Sequence, residues 1–123
     1  MINKGNLAFE RKTVVETGPA YGHTYFELQD FNKDGHMDLL VSNGDSDADP
    51  YNTLKNYHGV RIYMNDGRDN FSQKYFYPMY GVHFAKAADF DNDGDLDIAA
   101  VAFFRISGRR IARILFISKM MAA

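Results

Sequence analysis

The segment Asp30-Phe-Asn32-Lys-Asp34-Gly35-His36-Met-Asp38 returns 59 residues later as Asp89-Phe-Asp91-Asn-Asp93-Gly94-Asp95-Leu-Asp97. In both, side-chain oxygens stand at positions 1, 3, 5 and 9, and glycine stands at position 6. Alternate positions of a tightly curled loop turn toward a common centre, and glycine at the sharpest bend avoids the obstruction of a Cβ. A loop this specific, made twice at one fixed period, marks a repeat architecture before any other property is weighed.

The repeat extends beyond the loops. Tyr21-Gly22 returns as Tyr80-Gly81, again at a spacing of 59, while Asn3-Lys4-Gly5 and Phe9 return as Asn65-Asp66-Gly67 and Phe71 at 62. A small length difference in one strand-to-strand link absorbs the offset. Each unit reads as β structure. His23 to Gln29 leads into the first loop and Leu39-Leu40-Val41 leaves it. Val60 to Met64 is a further strand, stopped by the tight-turn signal Asn65-Asp66-Gly67. Phe71 to Tyr77 is the return strand, ended by Pro78; Val82 to Ala88 and Ile98 to Phe104 repeat the first two strands. Four short antiparallel strands in a unit of this length fit a β-propeller blade. The expected fold is all-β with fewer than two complete blades: a partial blade over 1–20, a full blade over 21–79 and a partial blade over 80–104.

The loop chemistry points to calcium, a hard cation that takes six to eight oxygens at roughly 2.3–2.6 Å. Asp30, Asn32, Asp34 and Asp38 are the expected side-chain ligands of one ion, and Asp89, Asp91, Asp93 and Asp97 those of a second. At position 7, His36 and Asp95 would each give a backbone carbonyl. An EF-hand needs an acid at position 12 and flanking helices, and those positions hold Val41 and Ala100 inside strands. Dockerin modules share the first half of the motif but follow it with a helix. An acidic turn without metal is the plainer reading of one such loop. Two at matching points of a repeat argue against it, because carboxylates brought together without a cation repel one another.

The stretches Leu28-Gln-Asp-Phe-Asn-Lys-Asp-Gly-His-Met-Asp-Leu-Leu-Val-Ser42 and Ala87-Ala-Asp-Phe-Asp-Asn-Asp-Gly-Asp-Leu-Asp-Ile-Ala-Ala-Val101 resemble the FG-GAP/VCBS repeat family, the propeller blades of integrin α-subunits and many secreted bacterial proteins. Ile62-Tyr-Met-Asn-Asp-Gly67 followed by Phe71 is similar to the next hairpin of that family. The resemblance covers roughly residues 3–104 and implies calcium sites that stiffen one end of each blade. It transfers no ligand, because function lives in sites added to a fold.

Composition excludes several classes. The net charge of −2 exerts no bulk pull toward nucleic acid or membrane, and the absence of cysteine removes disulfides and thiolate metal sites. None of the roughly 18-residue apolar runs that span a bilayer is present. Met1 to Glu10 lacks the apolar stretch of a secretory signal, so the protein is cytoplasmic or its exporting segment lies outside these residues. Calcium loops of this kind belong mainly to extracellular modules, which favours an extracellular, periplasmic or cell-surface setting.

No nucleophile motif is present, and the histidines at 23, 36, 58 and 83 share no metal-binding spacing. Gly67-Arg68-Asp69 is not the Arg-Gly-Asp order. Residues 43–59 form the longest insertion in the repeat. Its alternating Asn43, Asp45, Asp47 and Asp49 are candidates for a third ion, but without the position-6 glycine they read better as a solvated insertion; its Tyr51, Tyr57 and His58 are candidates for stacking on a sugar or a protein, or for local packing.

The tail departs from the rest. After Asp97 there is no acid, while Arg105, Arg109, Arg110, Arg113 and Lys119 follow. One reading of 105–123 is a basic helix with Ile111, Ile114 and Leu115 as an apolar stripe. The other is translation from a shifted frame. Codons for Lys119-Met120-Met121-Ala122, read from the last base of the lysine codon, specify Asn or Asp, then Asp, then Gly, the turn the repeat requires next.

The expectation is a non-catalytic, calcium-stabilised propeller segment that binds protein or carbohydrate and self-associates through its incomplete blades. A propeller enzyme acting on polysaccharide and a purely structural scaffold are the alternatives.

Overall fold

The computed structural model describes residues 2–44, 54–106 and 109–117. Among them the chain is all-β, with one 3₁₀ turn at Pro19–Tyr21. β1 (Ile2–Asn3) pairs with β2 (Phe9–Glu10). β3 (His23–Gln29), β4 (Asp38–Asn43), β5 (Gly59–Asn65) and β6 (Phe71–Pro78) form a four-stranded antiparallel meander in chain order. β7 (Val82–Ala88), β8 (Asp97–Ile106) and β9 (Arg109–Ile117) form a second, three-stranded sheet. One complete blade and parts of two others are therefore present.

The 62-residue offset holds in three dimensions. Asn3↔Phe9 and Ile2↔Glu10 pair as Asn65↔Phe71 and Met64↔Ser72 do. The N–H of Gly5 reaches Asn3 Oδ1 at 2.9 Å as that of Gly67 reaches Asn65 Oδ1 at 3.1 Å. β1 and β2 are thus the outer hairpin of the blade that precedes the first sheet.

β4 reads Leu39-Leu40-Val41 without alternation because both faces of its sheet are covered. Leu40 faces the second sheet with Val60 and Ile62, against Val82, Ala85, Ala87, Ile98, Ala100 and Ala102. Leu39 and Val41 face the other way, with Tyr63, and Val15 and Phe71 pack on them. Large side chains on the first sheet meet alanines on the second, which lets the sheets approach closely. At one end a Cβ on Gly44 would lie 2.2 Å from Val82 N, so only glycine fits there. Thr24 Oγ1 donates to Val82 O at 2.9 Å and fixes the same junction.

Two expectations about the edges change. Pro78 closes β6 as its last paired residue, opposite Gly59, instead of standing beyond it. The helical reading of the tail is corrected: residues 109–117 are strand β9, which pairs with β8 from Ile106↔Arg109 to Ile98↔Ile117. The register explains why. Ile98↔Ile117 matches Leu39↔Tyr63, so β9 satisfies the edge of β8 in the place that β5 takes beside β4. The codon-level reading of Lys119 to Ala122 falls outside the described residues.

Candidate metal centre

Each loop joins the first two strands of its sheet, and the two backbones are matched bond for bond. The N–H groups of Asp34 and Gly35 reach Asp30 Oδ1 and Oδ2 at 3.1 and 2.9 Å. Those of Asp93 and Gly94 reach Asp89 Oδ1 and Oδ2 at 3.1 and 3.0 Å. Asn32 Oδ1 and Asp91 Oδ1 each accept from the residue at position 5 at 3.2 Å. Asp38 Oδ2 holds the Phe31 N–H at 3.0 Å, and Asp97 Oδ2 holds the Phe90 N–H at 3.1 Å. Lys33 and Asn92 both have φ +60, and Gly35 and Gly94 have φ +86 and +93, a conformation L side chains resist.

In the second loop, carboxylate oxygens of Asp89, Asp91 and Asp97 lie within 4.8 Å of one another. Asp97 is buried while Asp89 and Asp91 are exposed, so the group opens to solvent from a fixed floor. In the first loop the same three places hold Asp30, Asn32 and Asp38, with Asp38 the buried member. The donor set is all oxygen, which suits a hard cation. Every carboxylate oxygen that accepts one N–H retains a lone pair for an ion, so the internal hydrogen bonds pre-shape the loop without closing it.

The position-5 carboxylates stand apart from that group. Asp34 Oδ1 accepts from the His36 N–H at 2.8 Å and Oδ2 from Asn32 Nδ2 at 2.8 Å. These bonds, the His36 N–H first, hold its pKa below the ordinary carboxylate value. Asp93 Oδ1 accepts from the Asp95 N–H at 3.0 Å. At position 7 the side chains are engaged elsewhere. Asp95 pairs with Lys33 Nζ at 2.8 Å, and the His36 ring lies over Gly67, where a Cβ would meet Nε2 at 2.6 Å. The hydrogen bond and charge of Asp95 raise the Lys33 pKa.

A brace that the sequence does not announce supports the first loop. Asp38 Oδ1 accepts from the Asn65 N–H at 2.8 Å, and Asn65 Nδ2 donates to Met37 O at 3.2 Å. The β5–β6 turn is thereby tied to the end of the β3–β4 loop.

The other end of the first blade holds a buried arginine. Arg61 donates to Asn43 Oδ1 at 2.7 Å and to Tyr57 O at 2.6 Å, with its guanidinium 4.1 Å from the Phe76 ring centre and 5.0 Å from that of Tyr21. Burial lowers its pKa from the ordinary arginine value. Tyr57 stacks on Tyr21 at 4.9 Å and His58 is buried, so these two pack locally and do not present themselves to a ligand. Asn43 is likewise committed to Arg61 and unavailable as an ion ligand. Asp45, Asp47, Asp49 and Tyr51 lie outside the described residues.

Residues 43–100 match the family profile described as the FG-GAP-like repeat, a span that takes in β5, β6, β7 and the second loop. Over that stretch the chain is similar to an FG-GAP-like repeat. Comparison with curated proteins and with solved structures gives no match. Among the described residues no helix is long and apolar enough to cross a membrane.

Proposed function

We propose that this FG-GAP-like segment is a calcium-stabilised, non-catalytic propeller module of an extracellular, periplasmic or cell-surface protein, with protein or carbohydrate as its ligand. The observation that carries the reading is the doubled loop: two backbones alike bond for bond, one of which gathers the carboxylates of Asp89, Asp91 and Asp97 within 4.8 Å. Asp30, Asn32, Asp34 and Asp38 hold one ion with the His36 carbonyl; Asp89, Asp91, Asp93 and Asp97 hold the other with that of Asp95. The bound ion neutralises clustered carboxylates and fastens the first strand of each sheet to the second. It drives no reaction.

Calorimetric titration tests the sites. The wild type takes up two calcium ions, and Asp34→Ala and Asp93→Ala each remove one. Absence of calcium uptake by the folded wild type overturns the metal assignment. The ligand class is tested separately on a glycan array in calcium and in chelator, where calcium-dependent signal supports carbohydrate recognition.

A further inference from the structure

The two loops are joined by a side chain that neither motif requires. Position 4 is Lys33 in the first loop and Asn92 in the second, both with φ +60, so the backbone there is alike and only the side chain differs. Lys33 leaves its own loop between Asn32 and Asp34 and ends on the other one. Its Nζ donates to Asp95 Oδ1 at 2.8 Å, a contact across 62 residues that ties the loop of one sheet to the loop of the next.

The ammonium acts on more than its partner. The hydrogen bond to Asp95 is the first cause that raises the Lys33 pKa, and the charges of Asp93 and Asp89 add to it. Lys33 therefore stands in the field of two carboxylates that the second ion is expected to use. Asp95 itself gives that ion a backbone carbonyl, which leaves its carboxylate free to hold the lysine.

The charges fix the sign of the effect. Without an ion, Lys33 offsets part of the repulsion among the five acids of the second loop, Asp89, Asp91, Asp93, Asp95 and Asp97. Once that loop holds a divalent cation, Lys33 faces a like charge instead of an acidic cluster. The part of the repulsion that Lys33 had already relieved is no longer there for the ion to relieve. Binding gains less than it would with a neutral residue at position 33.

We infer that Lys33 of the first loop is an affinity-setting residue for calcium in the second, weakening that site by holding a resident positive charge beside it. The inference rests on the calcium reading given above and adds to it a residue that supplies no ligand. The Lys33 and Asp95 side chains are 64% and 59% exposed, so solvent screens the effect. Its expected size is about two- to fivefold in affinity at low salt, and less as salt is added.

Calorimetric titration at low salt tests this, with Asp34→Ala in every protein so that only the second site is read, and with folding checked by circular dichroism. Lys33→Gln tightens calcium binding by about two- to fivefold, and high salt removes the gain. Asp95→Asn weakens the site, because a carboxylate is lost. Adding Lys33→Gln to Asp95→Asn gives a smaller gain than Lys33→Gln gives by itself, because the ammonium is no longer held there. Calcium uptake that Lys33→Gln leaves unchanged or weaker overturns the inference and leaves the calcium reading standing. So does a gain that salt does not reduce, or one undiminished by Asp95→Asn, since either would place the effect in loop packing. If the folded Asp34→Ala protein takes up no calcium, the calcium reading itself fails and this inference falls with it.

Discussion

The two loops share a backbone and differ in charge. The first carries Asp30, Asp34 and Asp38 with Lys33 among them; the second carries Asp89, Asp91, Asp93, Asp95 and Asp97 with no cation of its own. Yet the hydrogen bonds at positions 1, 3, 5 and 9 agree within about a tenth of an ångström from loop to loop, except His36–Asp34 at 2.8 Å against Asp95–Asp93 at 3.0 Å. Loop shape is therefore set by the glycine, the left-handed residue at position 4 and the carboxylate-to-backbone bonds, all common to both. Charge is free to vary on that frame. The Lys33–Asp95 pair shows the variation being shared, since a lysine of the first loop offsets a carboxylate of the second.

If shape is common, the largest effects fall on shared bonds. Asp38→Ala and Asp97→Ala each leave a backbone N–H of the loop without its carboxylate, at a cost of about 1–3 kcal/mol. Urea unfolding in chelator reads this metal-free loss. A loss confined to one loop breaks the equivalence.

If charge is what differs, the loops bind calcium unequally. The second is expected to be the tighter site, and Asn32→Asp raises the affinity of the first by about tenfold, or 1.4 kcal/mol. Calorimetry with Asp93→Ala in the background isolates the first site for that measurement. An unchanged affinity would place the difference in geometry after all.

A smaller contrast concerns pH. His23 stands where the second sheet has Val82, and its Nε2 lies 2.6 Å from Thr17 Oγ1. Burial, and then the charge of Arg61, lower its pKa below the ordinary 6.5. The unfolded chain thus binds a proton that the folded chain resists. Stability falls as pH drops through 6.5 and levels off below the lowered folded value. Thermal melts from pH 7.5 to 5.5 should show this fall shrinking in His23→Gln.

The smallest effect belongs to Lys33→Ala. The pair is solvent-exposed on both sides, so its removal changes stability little, and added salt erases the difference. A salt-insensitive loss would mean that Lys33 acts through packing.

What the sequence made legible follows from locality. β3 and β7 span His23–Gln29 and Val82–Ala88 as the pattern indicates, and both loops stand where their glycines put them. Such features are encoded in consecutive residues. β9 was hidden because Arg109–Ile117 carries alternating and helical spacings at once, and only the unpaired edge of β8 decides between them. The Arg61 cluster was hidden for a similar reason. It joins Tyr21, Asn43, Tyr57 and Phe76 from separate elements, and no short pattern marks an arginine that will be enclosed by rings. The brace from Asn65 to Asp38 spans 27 residues and is likewise invisible to spacing.

That arginine gives the first blade two unlike fastenings. One end carries the Asp30–Asp38 loop, proposed above to hold a dissociable ion; the other is held by a guanidinium that keeps its charge across the physiological range and needs no ion. Stripping the solution of divalent ions should therefore unravel the blade from a single side, with amide exchange quickening near residues 30–38 while the strands around Arg61 stay protected. Its unfolding would have a direction, set by which end depends on the surrounding medium.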